Sequence, residues 1–160
     1  MAGLHSNQLM KSTYLGLIAV SFLLSGVAAF GQAPAKPDKK IEVQLLWGTN
    51  ATNSPKANHK PISQDVQKRL QTLPLRWTHY YFETNVTLSV PRGKTVKAPM
   101  SEKCSIEIKD LGQHNLQITL TGKNKRVEKR TQPLPHGDML IYSGEAPDAS
   151  AWFVVLKRLD

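Results

Sequence analysis

The residues with the plainest chemical character lie in one short run. Residues 123–130 (KNKRVEKR) carry Lys123, Lys125, Arg126, Lys129 and Arg130 around Val127 and Glu128. Such a density of cations can hold a polyanion or a negatively charged protein surface. The same pattern also suits an edge strand guarded by charge against unwanted pairing, and the run by itself leaves both readings open. Aromatic side chains offer a second kind of contact. Trp47, Trp77, Tyr80, Tyr81 and Trp152 each fall near a strand end or a loop, where rings stack on sugars or anchor an interface; core packing accounts for them equally well. A polar stretch, residues 48–61 (GTNATNSPKANHKP), contains His59 and is rich in residues that satisfy their own backbone in turns. Long loops of this kind either bind or stay mobile. The binding candidates are therefore Lys123, Lys125, Arg126, Lys129, Arg130, Trp47 and His59.

Signatures of catalysis are sparse. His59, His79, His114 and His136 show no metal-ligand spacing to one another or to Cys104. His136 and Asp138 stand two apart, but a metal site needs three or four convergent ligands. No G-x-S-x-G elbow, Ser–Lys signature or cysteine motif is present. Cys104 runs in phase with Ile106 and Ile108, as a small packed hydrophobe would, which implies a slowly reacting thiol. A carboxylate pair for glycoside hydrolysis depends on tertiary geometry, and the sequence singles out none. The expectation is a protein without metal or cofactor, and not an enzyme.

What must position these residues begins with the leader. Residues 13–31 (TYLGLIAVSFLLSGVAAFG) form an uncharged apolar run after Lys11, ending in small residues, the layout of a secretory signal peptide. The run falls short of the roughly 20 residues of a comfortable membrane span. Cleavage after Ala29 or after Gly31 fits the small-residue rule; the alternative is an uncleaved anchor. The expected location is therefore exported, periplasmic or extracellular. Residues 32–40 (QAPAKPDKK) read as a solvated spacer, and residues 41–160 as one domain. The chain carries 21 Lys and Arg against 12 Asp and Glu, so anionic partners are favoured, while export argues against nucleic acid. The single cysteine cannot form an intramolecular disulfide, leaving stability to packing.

Within the domain the pattern is mainly of period two. Ile41, Val43 and Leu45 alternate with Glu42 and Gln44, then Leu46 and Trp47 break the alternation, which predicts burial on both sides there. Residues 63–73 predict the one amphipathic helix, with Val66, Leu70 and Leu73 on one face, Ser63 as cap and Pro74 as stop. Further strands are predicted over 76–83, 86–90, 104–109, 116–121, 125–131, 139–143 and 152–156, with residues 110–115 as a hairpin link. Residues 152–156 (WFVVL) are apolar throughout, and a strand carries that only with both faces covered. The expected fold is mainly β: an antiparallel β-sandwich or partly open barrel of about eight short strands with one amphipathic helix.

The leader, the segment Leu45-Leu46-Trp47-Gly48-Thr49-Asn50, the helix ending before Leu75-Arg76-Trp77, and the closing segments 137–142 (GDMLIY) and 152–156 together resemble small exported β-rich proteins of the bacterial envelope. That resemblance implies an envelope setting and carries no activity or catalytic residue. The functional expectation is an exported, non-enzymatic binding or accessory module of the cell envelope. Its partner would be a protein or an anionic envelope polymer, with membrane contact only if the leader is retained. Two alternatives stand beside it: a carbohydrate- or peptidoglycan-binding domain using exposed aromatics, and a secreted hydrolase with an unrecognised carboxylate pair.

Overall fold

Among the described residues, nine strands and one helix form in the order β1 (Lys39–Thr49), β2 (Lys60–Pro61), α1 (Gln64–Gln71), β3 (His79–Val90), β4 (Thr95–Ser101), β5 (Cys104–Gly112), β6 (Asn115–Gly122), β7 (Lys125–Pro133), β8 (Met139–Glu145) and β9 (Ala151–Arg158). This computed structural model describes residues 37–52, 60–123 and 125–160. The leader, most of the spacer and His59 lie outside the described residues. Two antiparallel sheets result, β2-β3-β1-β9-β8 and β4-β5-β6-β7. They face one another as a sandwich, and neither closes into a barrel.

Three layers follow from the alternation of side chains. Ile41 and Val43 of β1, Leu88 and Val90 of β3, and Val154 and Leu156 of β9 meet Ile106, Ile108, Leu116, Ile118 and Leu120 of the second sheet in one buried core. On the opposite face of the first sheet, Leu46, Phe153 and Val155 meet Val66 and Leu70 of α1 in a second core. The unbroken apolar run of β9 is thus explained: its odd and even residues are buried against different layers, as a strand covered on both faces requires. In β1 the Leu45–Leu46 step is divided between the two cores in the same way, while Trp47 is only partly buried. An eight-residue helix is unstable alone, so α1 exists because Val66 and Leu70 are covered by β1 and β9.

Several boundaries differ from the sequence expectation, each for a local reason. β1 starts at Lys39, not Ile41, because the Lys39 ammonium forms an ion pair with Asp110 in which both side chains are almost wholly buried. It also extends through Gly48 and Thr49, taking in the start of the supposed loop; a Cβ at Gly48 would lie 2.6 Å from the Phe153 ring. Residues 76–90 make one strand from His79, continuous past a bulge where Leu45 faces Thr84 and Leu46 faces Phe82. The unanticipated β4 pairs only with β5; its Ala98 and Pro99 mute the alternation, and proline is tolerated at such an edge. α1 ends at Gln71, and Ser63 supplies no side-chain cap; its carbonyl instead accepts from Gln67 N at 2.9 Å.

α1 is also tied to β9 by an ion pair between Asp65 and Lys157. The hydrogen bond from Lys157 holds the Asp65 carboxyl at about 2, below the ordinary 3.8. A depressed carboxylate stabilises the fold fully above its unfolded value and loses that contribution as pH falls towards its folded one. Because the pair is solvent-screened, it is worth no more than about 0.5 kcal/mol. The expected result is that Asp65→Asn is slightly less stable than wild type at pH 5 and equal to it near pH 2, measured by urea denaturation at both values.

Candidate functional site

Bulges decide where the sandwich opens. At one end the two sheets part around a cleft of about 720 Å³. From the first sheet come Leu45 and Trp47 of β1, Glu83 of β3, Glu145 of β8 and Trp152 of β9; from the second come Ser101, Cys104, Leu120, Thr121, Gly122 and Val127, with Lys103 and Lys123 on the adjoining turns. Two of these residues are bulge insertions. Glu83 is the extra residue where β3 slips against β1, and Val127 is the extra residue where β7 slips against β6 between Leu120 and Thr121. A bulge re-aims a side chain that regular pairing would place elsewhere. Val127 is 52% exposed and lies along Gly122 at this mouth.

The floor of the cleft is aromatic. Trp47 and Trp152 stand directly opposite each other on neighbouring strands, and both alternate in phase with residues facing the second sheet. The Trp152 indole lies over Gly144 of the edge strand: a Cβ there would overlap the ring, with Nε1 only 2.8 Å away. Glycine is therefore needed at 144 so that the indole can lie flat. Gly144→Ala is expected to lower stability by about 1–3 kcal/mol through overpacking and to shift tryptophan emission as the indole is pushed out. Unchanged emission together with unchanged stability would contradict this placement.

The charged groups at the mouth differ in their engagement. Glu145 forms an ion pair with Arg76 at 3.0 Å. Asp148, in the β8–β9 loop, accepts from the Ser150 hydroxyl and from Ser150 N at 3.2 Å, and these hydrogen bonds hold its carboxyl below the usual range. Glu83 has a partner as well. Lys103 and Lys123 face no carboxylate in ion-pair range among the described residues. Their turns are joined by a hydrogen bond from Lys123 N to the Lys103 carbonyl at 2.8 Å, and Lys123 sits in the left-handed region at φ 49°. Cys104 is half-buried between core and cleft, and desolvation pushes its thiol up.

The sequence candidates divide accordingly. The structure brings Trp47 and Lys123 to the same cleft. Lys125, Arg126, Lys129 and Arg130 run away from it along β7, an exposed edge strand of the second sheet, with Arg130 in an ion pair to Glu128 at 2.8 Å. Of the other aromatics, Trp77 and Tyr80 are structural. Both meet Phe153 edge-on, with centroids 5.5 and 5.3 Å apart, and Trp77 Nε1 donates to the Ala149 carbonyl at 3.0 Å. Tyr81 OH donates to the Thr52 carbonyl at 3.5 Å. Among the described residues no three His, Cys, Asp or Glu side chains gather as a metal site would require.

Lys103, Glu83, Glu145 and Asp148 were not singled out in the sequence, and Trp152 was named only among the aromatics that core packing explains equally well. Trp47 and Trp152 could have been matched by their shared alternation with the core, yet nothing local says that β1 and β9 are neighbours. The opposite end of the sandwich holds a smaller, polar cavity of about 380 Å³ lined by Lys39, Arg92, Asp110, His114, Arg158 and Asp160. There Arg158 donates to Asp160 at 2.8 Å, and the carboxylate is held low by that hydrogen bond. Here Lys39 is paired with Asp110 and Arg158 with Asp160.

No family model, no curated protein and no solved structure matches this chain.

Proposed function

We propose that this protein is a non-enzymatic binding module, exported by its leader, whose ligand site is the cleft between the sheets. The observation that carries the reading is the cleft itself: a mostly apolar hollow within the usual roughly 300–1,000 Å³ of ligand sites, with a few polar groups at its rim. Two bulges aim side chains into it, which is where such irregularities concentrate. The basic edge β7 is read chiefly as a guard against strand addition, and as a secondary surface for an anionic envelope partner.

The test is thermal stabilisation by a panel of envelope components, because a ligand of the folded state raises its melting temperature. A compound that stabilises wild type is expected to fail with Trp47→Ala. Stabilisation unchanged in that variant would place the site elsewhere and sink the reading. A second reading is favoured by the two indoles that line the cleft from opposite positions on β1 and β9, since such rings can stack on a sugar. Cell-wall glycan fragments in the same panel decide between sugar and other ligands.

A further inference from the structure

We propose that the cleft takes the apolar chain of a single-chain anionic amphiphile, a long-chain fatty carboxylate, with its head between Lys103 and Lys123. The inference deepens the binding reading above and rests on it. Leu45, Trp47, Leu120 and Trp152 give the interior an apolar lining that a hydrocarbon chain fills without leaving a polar group unsatisfied. Val127, exposed at the mouth by its bulge, extends that apolar surface towards the lip formed by the two lysine-bearing turns.

Charge sets the sign of the head group. The carboxylates at the mouth are already engaged: Glu145 by Arg76, Asp148 by Ser150, and Glu83 by its own partner. The two ammonium groups have no carboxylate counterpart among the described residues, and the backbone bond between their turns keeps them on one lip. Lys125 and Arg126 continue the positive potential beyond that lip. A cationic head placed between the two ammonium groups would be repelled by both, whereas a carboxylate there pairs with both.

Tryptophan emission of the full chain, titrated with dodecanoate and dodecyltrimethylammonium below their micelle concentrations and with dodecanol below its solubility limit, tests this. Dodecanoate is expected to perturb emission at the lowest concentration. Lys103→Glu with Lys123→Glu should weaken it about tenfold, two screened charge contacts being removed and reversed. Lys68→Glu with Arg69→Glu on α1, which makes the same change in net charge, should weaken it far less. Equal weakening by both double variants would reduce the effect to net charge and overturn the head-group assignment. Dodecanol or the ammonium compound binding as tightly as dodecanoate would overturn it too, while leaving the cleft as the site. No response to any of the three, with a response to glycans or other panel compounds, would reject the amphiphile and keep the binding reading. Silence towards everything would reject both.

Discussion

Asp110→Ala is expected to destabilise the protein by about 3–5 kcal/mol, the range for removing one partner of a buried ion pair. The side chains of Lys39 and Asp110 are only 7% and 6% exposed, so the substitution strands an ammonium group away from water. Asp110 Oδ1 also accepts from Gly112 N at 2.8 Å, and the Asp110 carbonyl accepts from Gly93 N at 2.8 Å. The residue thereby links the start of β1, the β3–β4 turn and the β5–β6 hairpin. Urea denaturation should show a lower midpoint with an unchanged slope. Converting both partners, Lys39→Met with Asp110→Leu, should recover most of the loss, because an apolar pair of similar volume carries no desolvation penalty. A loss below about 1 kcal/mol for Asp110→Ala would show that water reaches the pair.

Phe153→Ala is expected to cost about 3–5 kcal/mol, as for other fully buried aromatic truncations. Its ring is wholly buried, packs edge-on against Trp77 and Tyr80, and lies over Gly48. It also forms, with Leu46 and Val155, the surface on which Val66 and Leu70 rest. Removing it takes away the support of a helix too short to stand alone. Amide exchange in α1 should therefore accelerate more than in β5 and β6, which lie across the other core. Uniform acceleration throughout would mean that the helix is no weaker than the sandwich. The cleft faces the opposite side of the first sheet from this ring, so ligand binding at the temperature of full folding should survive.

These two substitutions bracket how far the sequence could be read. The apolar run at 152–156 announced a strand with both faces covered, and the structure supplies both covers, one from the second sheet and one from α1. The alternation in β1, β5 and β6 was legible because burial of one face imposes period two. Lys39 was not legible as a core residue. Charge and the neighbouring prolines assigned it to a spacer, and only the presence of Asp110 on a distant strand makes its burial tolerable. The cleft was illegible for a related reason. Its walls come from eight strands, and two of its residues reach it through bulges whose register depends on the partner strand.

The sequence by itself determined most of the elements, namely one amphipathic helix, the majority of the strands and a closing strand covered on both faces, each written in local periodicity and in the solvation preference of the side chains; β2 and β4 were not among them. Tertiary structure alone decided that Trp47 meets Trp152, that Lys103 and Lys123 share a lip, and that Lys39 finds Asp110. Strand order and register are fixed by the sum of many long-range packing contacts. No local stretch of chain encodes that sum, so the place where the sheets part emerged only when they were brought together.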